Sequence, residues 1–124
     1  MSGIIATDKL AYGLSKYGEL ATVTSSIPTL IKKHSTTESM KKSGVTFKHL
    51  REAIVVNGDI LEENIDEQFY IAVIHTGFMK ATSALVVAVL QGEEIHFAAY
   101  AKEGLIKQNL AHKAIALIKD RLSK

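Results

Sequence analysis

Residues 82–104, TSALVVAVLQGEEIHFAAYAKEG, determine most of the predicted fold. Two apolar runs flank a short polar turn at Gly92, and this pattern is typical of paired antiparallel strands. If Leu90 faces Ile95 across the turn, the pairing of every other residue follows from the two-residue repeat of a strand. One predicted face then carries Leu85, Val87, Val89, His96, Ala98 and Tyr100. The other carries Ala84, Val86, Ala88, Leu90, Ile95, Phe97 and Ala99.

Both faces of this hairpin are apolar, so each needs a cover other than water. The alanine-rich face admits a closely packed helix, and residues 104–122 supply one. That helix carries an apolar stripe of Leu110, Ala114, Leu117, Ile118 and Leu122. The other face is to be covered either by N-terminal helices or by a second copy of the chain. This requirement is the basis for predicting a homodimer.

Upstream, FYIAVIH at 69–75 alternates as a strand and completes a three-strand meander over 69–101. Asn57-Gly58 between two apolar runs predicts a further hairpin over 53–62, since both residues tolerate the positive φ of a type I′ turn. The alternative is a helix from Thr46 through Val56 that Gly58 ends in a left-handed conformation. The predicted fold class is α+β, with an antiparallel sheet, N-terminal helices and a C-terminal helix packed on it.

The N-terminal third predicts short helices. Thr7 is a candidate cap for a first helix that ends near Gly18. Ser26 before Ile27-Pro28 predicts the start of a second. Residues 36–44 are predicted as one or two helical turns closed by Gly44, and Thr46 as the cap of the next segment.

Length and composition indicate one soluble domain over residues 1–124. The chain contains no cysteine, which excludes disulfides, thiolate metal sites and cysteine nucleophiles and favours the cytoplasm. The N-terminus lacks the features of a signal peptide, and the longest apolar run, 84–90, is too short to cross a bilayer. No membrane association is expected.

Charge is divided unevenly along the chain. Residues 28–51 hold six Lys or Arg and one acid, whereas 52–68 hold six acids and no Lys or Arg. The basic block either docks nucleic acid or an acidic partner, or is neutralised by the acidic block in the folded protein.

A helix-turn-helix-like pattern over 37–52 develops the first interpretation and predicts a DNA-binding regulator. Gly44, Val45 and Thr46 would form the turn between two short helices. The residues expected to contact nucleic acid are Lys41, Lys42, Lys48, His49 and Arg51.

A second candidate site lies around the 75–83 loop, where a small anion could bind. Its predicted ligand-binding residues are His75, Lys80, His96 and Tyr100. The loop lacks the glycine spacing of a P-loop, the five histidines show no metal-ligand spacing, and Gly-x-Ser-x-Gly is absent. No catalytic residue, metal or cofactor is therefore predicted, although a small enzyme built on this loop is retained as an alternative.

The predicted element order, a strand meander that feeds a long terminal helix, resembles that of small roadblock- and profilin-type modules. The resemblance covers element order alone, and it implies a dimerising adaptor. We accordingly expect a small non-catalytic binding or regulatory module that acts as a homo-oligomer, with a protein or small-molecule partner.

Overall fold

The computed structural model describes residues 2–17, 35–76, 83–101 and 109–123. Within these ranges the elements are α1 (Ser2–Tyr17), β1 (Ser35–Lys41), α2 (Phe47–Asn57), β2 (Gly58–Asn64), β3 (Phe69–His75), β4 (Ser83–Gln91), β5 (Glu94–Tyr100) and α3 (Leu110–Leu122). The five strands form one antiparallel sheet in the order β1-β5-β4-β3-β2. The predicted α+β class is confirmed.

The three-strand meander is as predicted, and β4 and β5 pair in the predicted register. Leu90 pairs with Ile95, Val89 with His96, and Leu85 with Tyr100. Gly92 has φ +63° in the turn between β4 and β5, a conformation that glycine adopts without a steric cost.

Helices cover both faces of the sheet. The alanine-rich face packs against α2 and α3, which contribute Leu50, Ala53, Ile54, Ala114, Ile115 and Ile118 to one buried cluster. The opposite face packs against Ala6, Leu10 and Leu14 of α1. Of the two covers considered for this face, an N-terminal helix is therefore the one observed, and the face supplies no argument for a second copy.

The predicted hairpin over 53–62 is wrong, because α2 continues to Asn57 and β2 begins at the next residue. Leu50, Ala53 and Ile54 recur at helical spacing and are buried, and this packing outweighs the strand preference of the β-branched residues that follow. The Asn57 side chain donates to the Ala53 carbonyl at 3.0 Å and so completes the helix end.

Gly58 has a different role from the turn residue expected. Its φ is −179°, which is extended backbone rather than left-handed. A Cβ at this position would lie 2.0 Å from the Val73 carbonyl oxygen, so the close approach of β2 to β3 requires glycine.

Residues 36–44 also differ from the prediction, since 35–41 form the edge strand β1 rather than helical turns. The helix-turn-helix geometry over 37–52 is therefore wrong: its first helix is a strand paired along its whole length with β5. The turn itself is as expected, with φ +77° at Gly44 and the Thr46 hydroxyl accepting from the His49 amide at the start of α2.

The ends of the other helices differ in part from their predictions. The first helix begins at Ser2, so Thr7 lies inside it rather than at its cap. The predicted helix after Pro28, the first residues of the predicted terminal helix and Lys80 lie outside the described residues. Across the described ranges, no helix combines the length and hydropathy needed to cross a membrane.

Candidate functional site

A cleft of about 450 Å³ opens between the turn after β1, helix α2 and the last turn of α3. Ala53 and Leu122 are buried and supply its apolar part, whereas the remaining lining is charged or polar. The lining residues are Lys42, His49, Glu52, Ala53, Arg121 and Leu122.

The backbone fixes where these side chains project. His49, Glu52 and Ala53 lie three and four positions apart and so share one face of α2. The Thr46 cap sets the start of that helix. The Lys42 amide donates to the Glu93 carbonyl at 2.8 Å, which ties the residue after β1 to the β4–β5 turn.

The charged groups of the cleft form no ion pair with another described residue. Within the ranges described, the side chains of Lys42, Glu52 and Arg121 lie in no ion pair. Elsewhere in the described ranges, four Lys or Arg side chains lie within 3.1 Å of a carboxylate oxygen: Lys9, Lys16, Arg51 and Lys119. The cleft therefore combines two available cations, one carboxylate and a histidine.

The basic residues predicted to bind nucleic acid are divided by the fold. Lys42 and His49 reach the cleft, and Lys48 is exposed beside it on α2. Arg51 instead pairs with Glu63 on β2 through Nε and Oε1 at 3.1 Å. Lys41 is opposite Glu94 in the sheet, two rows from the Ser39–His96 pair.

Among the described residues, α1 contributes more ion pairs to the acidic block than the basic block does. Lys9 pairs with Glu67 at 3.0 Å and Lys16 with Glu62 at 2.9 Å. Within the described residues, Arg51–Glu63 is the ion pair that joins the basic block to the acidic block. Sequence reasoning missed Glu52 and Arg121 as site residues, because no local spacing relates the end of α3 to α2.

Glu62 is the centre of a polar cluster that fastens α1 to β2. The Tyr12 hydroxyl, the Tyr17 hydroxyl and the Lys16 ammonium all donate to its Oε1 at 2.8–2.9 Å. Desolvation opposes ionisation of this carboxyl, but the hydrogen bonds outweigh it and lower the pKa of Glu62. These three donors commit Oε1 of Glu62 to the docking of α1 on β2.

His75 lies in a second polar cluster, at the end of the sheet. Its Nδ1 is 3.1 Å from the Ser83 hydroxyl and its Nε2 is 3.2 Å from Asp59 Oδ2. In a serine–histidine–aspartate triad, Nε2 of the histidine contacts the serine and Nδ1 contacts a buried aspartate. Here the Asp59 side chain is 78% exposed, so the chain of contacts departs from that of a catalytic triad.

His75 and His96 do not share a site. On β4, His75 pairs with Ser83 and His96 pairs with Val89. These two partners are six positions apart, which corresponds to about 20 Å along a strand. Tyr100 lies between them on the same face, buried by α1, and desolvation raises the pKa of its hydroxyl.

His96 belongs to the packing of this face. Its residue exposure is 8%, and its buried Nε2 has no hydrogen-bond partner among the described residues. The nearest acid, Glu94, is 3.7 Å away, too far for a hydrogen bond. In the part of the chain that the structure describes, no group of three His, Asp or Glu side chains is placed to hold a metal ion.

The sequence matches no family model, and no curated protein or solved structure is similar to it. The geometry of the cleft and of the two histidine environments is therefore the basis for assigning a function.

Proposed function

We propose that the protein is a small non-catalytic binding module whose ligand site is the cleft between α2 and α3. The observation that carries the proposal is the presence of Lys42 and Arg121 on one cleft, neither of them in an ion pair with a described residue. Zero cysteines in the chain support placing this module in the cytoplasm.

The chemistry of the lining specifies the ligand class. Arginine and lysine donate charge-assisted hydrogen bonds to carboxylate and phosphate oxygens. Glu52 accepts hydrogen bonds and favours a ligand that also carries an amino or hydroxyl group. The apolar floor of Ala53 and Leu122 accommodates a short hydrocarbon segment. We infer a small organic anion with a carboxylate or phosphate group held between Lys42 and Arg121.

The cleft has the size of a small-molecule site. Such sites are commonly about 300–1,000 Å³ in volume and combine apolar walls with a few polar groups. The cleft's 450 Å³ lies within that range. A DNA duplex would instead use exposed cations spread over a wider area, including Lys48.

Titration of the labelled protein with inorganic phosphate and with citrate, followed by amide chemical shifts, tests this assignment. We expect saturable shifts centred on His49, Glu52 and Arg121, with citrate binding more tightly because it offers several carboxylates. Replacing Arg121 with alanine should weaken citrate binding about tenfold, the loss expected for one charge-assisted hydrogen bond.

Lys113→Ala is the matched control, because it removes one exposed charge from the same helix outside the cleft. It should leave citrate binding unchanged. Equal weakening by Lys113→Ala and Arg121→Ala would mean nonspecific attraction and would contradict the proposal. Salt-dependent binding of a DNA duplex with shifts centred on Lys48 would favour the nucleic-acid function instead.

A further inference from the structure

The two edges of the sheet differ in how they are protected against pairing with another chain. On β2, the register shifts between Ile60 and Glu62, which places a bulge in the strand. The same strand carries Asp59, Glu62 and Glu63. Bulges and charged side chains are the usual devices that keep an edge strand from pairing.

The opposite edge, β1, has no bulge and carries two charged side chains, Glu38 and Lys41, against three on β2. Its pairing with β5 is continuous from Ser35 to Lys41, without a register shift, and the strand contains neither glycine nor proline. Its one carboxylate, Glu38, is held towards α3 by Lys119 at 2.8 Å and His112 at 2.7 Å. Among the described strands, β1 is the last at this edge of the sheet.

The alternation of hydrogen bonds along β1 identifies which of its backbone amides and carbonyls face away from the sheet. The Lys42 amide donates to the Glu93 carbonyl, and antiparallel strands exchange such bonds at every second residue. Lys42, Met40 and Glu38 therefore direct their backbone groups to β5. The amides and carbonyls of Thr37 and Ser39 point away from the sheet.

We propose that β1 pairs antiparallel with β1 of a second copy of this chain, with Thr37 of one copy opposite Ser39 of the other. Two-fold symmetry makes this contact self-complementary and extends one sheet across both copies. Both sheet faces are covered by helices, so this edge, rather than a face, is where the sheet can add a copy.

The charge on β1 is compatible with this pairing. In the proposed register Glu38 of one copy lies opposite Glu38 of the other. Each carboxylate already accepts hydrogen bonds from two cationic partners on its own α3, Lys119 and His112 when protonated. These partners offset the repulsion that facing carboxylates would otherwise cause.

Ser39→Pro and Ser39→Ala separate the backbone contribution from that of the side chain. Proline removes the outward amide of residue 39 and leaves the hydrogen bonds to β5 intact, a position at which edge strands tolerate it. Sedimentation across the micromolar range should show a dimer for the wild type and for Ser39→Ala. For Ser39→Pro the dissociation constant should rise at least about tenfold.

Amide hydrogen exchange tests the same contact in the unmodified protein, whether or not Ser39→Pro folds. At concentrations where the wild type is dimeric, the amides of Thr37 and Ser39 should be protected, and dilution should expose them. The Glu38 and Met40 amides, which face β5, should stay protected throughout.

A wild type that is monomeric across this range would overturn the inference. So would a dimer in which Thr37 and Ser39 exchange freely, since the interface would then lie elsewhere. The inference is independent of the proposed anion site. If the protein binds citrate but is monomeric, the anion site stands and the pairing of β1 between two copies is contradicted.

Discussion

His96 occupies a buried position in β5, and no residue in the described part of the chain forms a hydrogen bond with its Nε2. A buried polar atom without a hydrogen bond costs about 1–3 kcal/mol, while an apolar side chain of similar size avoids that cost. We expect His96→Leu to raise the free energy of unfolding by about 1 kcal/mol. Urea denaturation of the two proteins at neutral pH measures the difference.

Glu94→Gln is the control for His96→Leu, because it alters the nearest charge without changing the buried ring. It should leave the unfolding free energy unchanged, since 3.7 Å is too far for a hydrogen bond. A clear loss of stability in His96→Leu would show that the imidazole makes a favourable interaction in the folded protein.

The local sequence predicted the roles of some single residues but not of others. The positive φ of Gly44 and Gly92 accords with their expected turns. The role of Gly58 was not foreseeable, because it depends on the distance to Val73 on a different strand. Arg121 reaches the cleft for a similar reason, through the packing of α3 beside α2.

Among the elements, β1 and α3 are joined by a network centred on Glu38. Desolvation disfavours the carboxylate, but hydrogen bonds from Lys119 and His112 outweigh that effect and lower the pKa of Glu38. A pKa lower in the folded than in the unfolded state stabilises the fold above the unfolded pKa. This stability is lost as the pH falls through the folded pKa.

Glu38→Gln should therefore destabilise the protein at pH 7 by about 1 kcal/mol, the contribution of a partly exposed charged hydrogen bond. The difference from wild type should shrink in acid as Glu38 of the wild type becomes protonated. Urea denaturation of both proteins at a series of pH values measures this difference in the free energy of unfolding. Glu67→Gln, in a more exposed pair with Lys9, should change stability far less at every pH.

Elements with a strong local period were predicted, and those selected by distant contacts were not. The strands β4 and β5 are apolar runs that turn at Gly92, so the register between them followed from the sequence. The strand β3 was predicted as an element, without its register. The strand β1 has the composition STTESMK, which carries no apolar period. Its strand conformation depends on pairing with β5, more than fifty residues away.

The molecule as a whole is a sheet enclosed between α1 and the pair α2 and α3. Leu10 of α1 is fully buried against the sheet. Leu10→Asp should reduce the unfolding free energy by at least about 3 kcal/mol, because it removes apolar contacts and buries a carboxylate. Thermal unfolding, together with binding of a hydrophobic dye to the exposed face, measures the effect.

Ile65→Asp is the matched control, since Ile65 is 66% exposed in the turn between β2 and β3. It should leave both stability and dye binding near wild type. Native-like stability in Leu10→Asp would mean that α1 is not needed to cover this face.

The linear order of residues already contained the α+β class, the meander, the register between β4 and β5, and the demand for a cover on each side. These properties follow from local periodicity and from the exclusion of apolar surface from water, which act on every segment separately. Packing between distant segments decided which element covers the second face, that 35–41 is a strand, and that Lys42, His49, Glu52 and Arg121 share one cleft. Such choices depend on distances between residues far apart in the chain, and short-range spacing does not encode those distances.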